Sequence, residues 1–285
     1  MALRINYNFE SISAQRNLAG TQQSFFRAIE QLSSGLRINK AADDTAGLAV
    51  SEKLKNQVRG LNQAQRNAQD GVSLLQTAEG ALNETHNILA RMRELAVQSS
   101  NDTLTNADRL HIQDEINQLL SEVDRIAAAT QFNTIPLLRG SGVATAMQFH
   151  VGPNNITTNA VDEITFSLGN ANSTGLAVAN LSTASAQSLT TQSGANAAIS
   201  VLDTAIEDVS TRRGAIGAMQ NRLQSTINSL GVASENTGAA NSRIRDADVA
   251  QAVSEMVRNQ ILQQSTMAVL AQANQAPQMA LQLLK

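Results

Sequence analysis

The 285-residue chain contains no cysteine, no tryptophan, one tyrosine, three histidines and three prolines. Without cysteine there can be no disulfide framework, thiolate metal site or cysteine nucleophile, although the redox compartment stays open because exported and cytosolic proteins alike can lack cysteine. Aromatic residues make up 2% of the chain, too few for the stacking platforms that bind single-stranded nucleic acid. Charge is also balanced: 21 basic against 24 acidic residues gives a formal net charge of -3, with no run of one sign to track phosphates or anchor to a membrane surface. Nucleic acid is excluded as an expected partner. The opening MALRINYNFESISAQRN interleaves Arg4, Asn6, Asn8, Glu10 and Arg16 with apolar positions, so it has no signal-peptide apolar core. No later segment approaches the roughly 20 apolar residues of a membrane span, and membrane insertion is not expected.

The prolines stand at 136, 153 and 277, leaving 1–135 and 154–276 free of the strongest helix breaker. Helical periodicity is clearest where Ile199, Leu202, Ile206, Val209, Arg213, Ile216, Gln220, Leu223, Ile227 and Leu230 alternate at spacings of three and four. That spacing predicts a helix with a coiled-coil-like seam over more than four heptads. A second seam, Ile112, Ile116, Leu119, Val123 and Ile126, follows a start signal at Thr105 or Asn106 with Asp108 in the first turn, which predicts a helix over 106–129. Between 56 and 100 two adjacent apolar rows, one through Leu75, Leu82 and Leu89 and one through Leu74, Ala78 and Met92, form a stripe wide enough to need several neighbours. A bundle is expected. In the middle, Met147, Phe149 and Val151 alternate, as do Ile164, Phe166 and Leu168, around a turn-rich GPNNITTNAVDE, which predicts a β-hairpin. Residues 169–195 are poor in charge and rich in Gly, Ser, Thr, Asn and Ala, and read as an exposed loop or small irregular cap. The fold class is mainly α: a long antiparallel helical bundle with a small β-hairpin insert and paired terminal helices.

The ends are unusual. Residues 248–285 carry four charged side chains, Asp248, Glu255, Arg258 and Lys285, beside eight glutamines, and the first 34 residues carry five charges. Two helices cannot cover each other fully, so with so few charges on the remaining faces the apolar residues imply self-association. The candidate assembly interface is Ile5, Phe9, Ile12, Phe25, Ile29 and Leu32 at one end, and Val249, Val253, Met256, Ile261, Leu270, Leu281 and Leu284 at the other. For lack of partner surface, both ends are expected to order only on assembly.

No catalytic or metal site is legible. His86, His111 and His150 are isolated and no H-E-x-x-H is present. Asp43 and Asp44 precede a helix, where capping explains a carboxylate pair better than acid–base chemistry. GAIGAM at 214–219 lies inside the best seam, so its glycines suit close helix packing rather than phosphate binding. No cofactor and no enzymatic activity are expected.

QLSSGLRINKAADDTAGLAVSEKL (31–54), NQAQRNAQDGVSLLQTAEGALNE (62–84) and ENTGAANSRIRDADVAQAVSEMVRNQILQQSTMAVLAQANQ (235–275) resemble the terminal regions of bacterial flagellin. The resemblance covers about 1–140 and 190–285. It implies a subunit that self-assembles into a hollow, extracellular flagellar filament for motility, exported without a cleaved signal peptide. It further implies terminal helices (1–34 and 248–285) in an inner layer, spoke linkers at 35–47 and 236–247, a helical bundle domain at 48–140 and 190–235, and a reduced variable region at 141–189 holding the hairpin and exposed loop. A hook–filament junction or other coiled-coil adaptor is the alternative. Implied partners are further copies of the chain, an export chaperone, cap and hook-junction proteins. LARMRELAVQSSN at 89–101 resembles the segment recognised by the host Toll-like flagellin receptor, with Arg91, Leu95 and Glu115 at the matching contact positions.

Overall fold

The computed structural model describes residues 8–139, 146–154, 160–182 and 188–283, with the backbone alone at 160 and 276–283. In chain order the described elements are α1 (Phe9–Ser34), α2 (Thr45–Ser99), α3 (Asn106–Ala129), β1 (Gln131–Phe132), β2 (Ile135–Pro136), β3 (Met147–His150), β4 (Glu163–Phe166), α4 (Gln192–Arg245) and α5 (Val249–Leu283). The chain divides into two compact units, one of residues 59–234 and one of residues 1–58 with 235–285.

The 59–234 unit is a bundle of α2, α3 and α4 with a β-hairpin. On α4 the heptad row Leu202, Val209, Ile216, Leu223 and Leu230 is buried throughout, while Ile199, Ile206, Arg213 and Gln220 of the other row are half-buried. Gln220 donates to the Glu79 carboxylate at 3.0 Å, and Arg93 pairs with Asp203. Since α4 numbers fall as α2 numbers rise, the two run antiparallel, and Leu75, Leu82, Leu89 and Met92 meet the α4 seam in one core.

α3 begins as its sequence predicts. Thr105 accepts from the Asp108 N–H and Asp108 accepts from the Thr105 N–H, satisfying two donors that a helix start leaves open. Its buried stripe is Ile112, Ile116, Leu120, Val123 and Ala127, so the late seam members Leu119 and Ile126 are only half-buried. A straight helix drifts from a strict heptad within a few turns, which moves burial one residue along.

β3 and β4 pair antiparallel with Phe149 opposite Ile164 and Met147 opposite Phe166, the alternation read from sequence. Gly71 on α2 makes room for this hairpin, because a Cβ there would stand 3.0 Å from the Phe149 ring. A second, two-residue hairpin joins β1 to β2 with Asn133 and Thr134 both at positive φ, inside a stretch assigned to the helical bundle.

Of the two readings of 169–195, the described residues 169–182 and 188–191 form the irregular cap rather than an exposed loop. Ala171, Leu176, Val178, Leu181 and Leu189 are buried in the bundle core. Polar clamps hold this segment: Asp124 accepts from the backbone and hydroxyl of Ser173, and buried Gln113 donates to the Leu181 carbonyl at 2.8 Å while accepting from the Leu189 N–H. The helical glycines Gly214 and Gly217 also differ from expectation, since among the described residues nothing beyond their own helix backbone would lie within 4 Å of a Cβ at either position. Gly214 is exposed and Gly217 half-buried, and neither makes a close contact with another helix among the described residues.

Candidate assembly interface

The unit formed by 1–58 and 235–285 contains the helices α1 and α5. α1 opens on Asn8, whose side chain accepts from the Ser11 N–H, and closes on Gly35 at φ 70, whose N–H returns to the Gln31 carbonyl. Glycine suits that left-handed position because it has no Cβ to clash.

Beyond Gly35 the chain runs against the end of α4. Arg37 donates its N–H to the Arg245 carbonyl at 2.7 Å and its guanidinium to the Ile244 carbonyl at 2.6 Å, and Ala247 donates to the Gly35 carbonyl at 2.9 Å. Arg245 pairs with Glu52, and Ile38 is buried. Of the two segments assigned to spokes, 35–44 is irregular but 236–245 continues α4, leaving only 246–248 as a break before α5. Gly238 does not stop the helix because it stays helical and no proline follows it.

Asp43 and Asp44 act on backbone, as their position before α2 suggests. Asp43 accepts from the Asn39 and Lys40 N–H groups, and Asp44 caps α2 by accepting from the Gly47 N–H at 2.8 Å. The Lys40 N–H does most to hold the Asp43 carboxyl below its ordinary range, and the Asn39 N–H, Arg27 and the Lys40 charge add to it against a desolvation that opposes them.

α1 and α5 pair antiparallel: Asn8 and Ser11 meet Ala273 and Asn274 at one end, and Gly35 meets Ala247 at the other. What the pair buries is small, namely Ser11, Ala14 and Ala28 on α1 with Ala252 and Ala273 on α5. The large apolar residues stay outside. Phe9 is 66% exposed and Ile261 60%, and Ile12, Ile29, Val249 and Val253 are exposed as well. Phe25, Leu32, Met256 and Leu270 are half-buried. Ile5, Leu284 and the side chain of Leu281 lie outside the described residues. Phe26, 66% exposed beside Phe25, belongs with this set but was absent from the sequence-derived residues. The adjacent FF pair was the available signal. On α5, Val253, Val257, Ile261 and Leu262 line an open apolar depression. Exposure on this scale is what folded monomers avoid and interfaces supply.

Residues 5–143 match the bacterial flagellin N-terminal helical region and residues 199–284 match the bacterial flagellin C-terminal helical region. The chain belongs to the flagellin family. It is 49% identical over 281 residues to flagellin of Halalkalibacterium halodurans, across 99% of each chain, and 43% identical over 309 residues to flagellin of Bacillus subtilis, across 99% of this chain and 100% of that one. Among solved structures, Bacillus cereus flagellin aligns at 31% identity and a TM-score of 0.49 over 58% of this chain and 88% of that chain. As a flagellin the chain is a structural subunit that self-polymerises into the flagellar filament, and not an enzyme.

The positions carried over from the receptor-recognised flagellin segment do not form one surface. Arg91 and Glu115 are exposed and share an ion pair at 3.0 Å, with Glu94 also bound to Arg91. Leu95 is 2% exposed and belongs to the bundle core, so it cannot touch a receptor in this conformation. Its place on the wide apolar stripe of α2 explains the burial. Among the described residues no group of His, Asp and Glu is placed to hold a metal, and no helix is long and apolar enough to cross a membrane.

Proposed function

We propose that the α1–α5 pair is the inner assembly element of the filament, with 1–34 and 248–285 packing against equivalent helices of neighbouring copies. The 59–234 bundle would form the surrounding layer, and 35–44 with 246–248 are the turns that lead from α1 into α2 and from α4 into α5. One observation carries this reading: the pair buries alanine and serine while leaving Phe9, Phe26, Val257 and Ile261 in solvent. At about 25 cal/mol per Å² of apolar surface, covering those side chains supplies a driving force that repeats in every copy. The same faces suit an export chaperone before assembly and cap or hook-junction proteins at the filament ends, since each partner must cover apolar helix surface that water otherwise meets. The extracellular flagellum is the proposed location.

Deleting 248–285 tests the assignment. The truncated chain should keep the helical circular dichroism and cooperative melting of the 59–234 bundle yet sediment as a monomer and give no filaments by electron microscopy. Filaments from that protein would remove α5 from the interface.

Recognition by the host Toll-like receptor for flagellin is proposed to rest on Arg91 and Glu115 alone among the three positions. Exposed ion pairs contribute little to stability because solvent screens them, so Arg91→Ala and Glu115→Ala should leave the melting temperature nearly unchanged. Both should lower receptor activation by soluble monomer. Full activation by the double variant would sink the assignment.

A further inference from the structure

We propose that Asn8 is a positioning residue that sets the axial register of α1 against α5. In coiled coils, large knobs seated in facing holes fix how far one helix stands along the other. The buried apolar residues of the α1–α5 contact are small instead, Ala14, Ala28, Ala252 and Ala273, which bring backbones close but are weak knobs. The backbone bonds around Gly35 and Ala247 fix one end of the pair. Twenty-six residues of α1 separate that end from the other, about 39 Å at about 1.5 Å per residue.

At the far end a single carboxamide makes both necessary bonds. The Asn8 Oδ1 accepts from the Ser11 N–H at 3.1 Å, starting α1, and its Nδ2 donates to the Ala273 carbonyl of α5 at 2.8 Å. Turning the amide over would set oxygen against carbonyl and N–H against N–H, so the two bonds together select one orientation and one position of α5. Ser11, itself buried, adds a second contact by donating to the Asn274 side chain at 2.9 Å. Helix start and helix register are thereby held by the same side chain.

The two roles separate by substitution. Asn8→Asp keeps the capping oxygen but has no donor and sets a carboxylate against the Ala273 carbonyl. Asn8→Ala removes both functions. Because the chain has no cysteine, Gln15→Cys and Ser254→Cys give two unique, exposed labelling positions on α1 and α5 for spin–spin distance measurement in the full-length monomer. The parent should show one narrow distance. Asn8→Asp should broaden it, because the far end of the pair is released while the Gly35–Ala247 end stays tied, with unchanged helical circular dichroism. A distribution that superimposes on the parent overturns the proposal, as does a broadening seen in Asn8→Ala but not in Asn8→Asp, which would leave Asn8 as a cap only. The consequence for filaments rests on the inner-layer reading above, whereas the register does not. Released register in an Asn8→Asp monomer that still polymerises normally supports the latch and counts against the inner-layer assignment.

Discussion

Leu223 and Gly214 occupy the same helix and stand on opposite sides of its energetics. Leu223 is fully buried, touching the α2 face beside Gly71, whereas Gly214 is exposed with nothing near its missing Cβ. Leu223→Ala removes buried methyl groups and leaves a cavity, so it should cost about 2–5 kcal/mol. Gly214→Ala removes the entropic penalty of a mid-helix glycine and should gain about 0.5–1 kcal/mol. Urea unfolding of the two monomeric variants reads both signs. A neutral Leu223→Ala would contradict the heptad reading of α4. A destabilising Gly214→Ala would mean that this face is not free within the chain. The buried Arg109 belongs to the same scale: its guanidinium reaches the Ser99 and Asn101 carbonyls, closing the turn between α2 and α3, and no seam or capping rule would have selected it.

At the scale of elements, helices were set locally and the 169–190 segment was not. α3 starts and ends where its capping box and periodicity put it, because a cap needs partners only within one turn. The cap over the bundle depends on a glutamine far away in sequence. Gln113→Leu keeps the volume apolar but strands the Leu189 N–H and the Leu181 carbonyl, and each unpaired buried group costs about 1–3 kcal/mol. The variant should unfold at lower urea than the parent and should lose hydrogen-exchange protection at Leu189 before it loses protection at Leu202. Simultaneous loss at both sites would show that the cap and the helices open as one unit instead.

For the whole molecule, the two units differ in how completely they satisfy themselves. The 59–234 bundle has a continuous apolar core, while the α1–α5 pair has its largest side chains in water. Local opening free energy follows buried apolar contact, so amides of α1 and α5 should exchange well before those of the α4 seam in the monomer and become protected in the filament. Strong protection of both terminal helices in the monomer would contradict the idea that neighbouring copies complete them. The sequence by itself determined where helices start, which faces carry seams, where the hairpin lies, and that both ends are too poor in charge to stay solvated. Those properties follow from the 3.6 and 2.0 residue periods and from caps that act within a turn. Only the tertiary structure decided that Leu120 rather than Leu119 completes the α3 stripe, that Leu95 is core, that Leu176, Leu181 and Leu189 are buried in the bundle, and that the ends pair through alanine with Phe9 and Phe26 left outside. Each of these depends on which distant residue stands opposite, and periodicity carries no information about that partner.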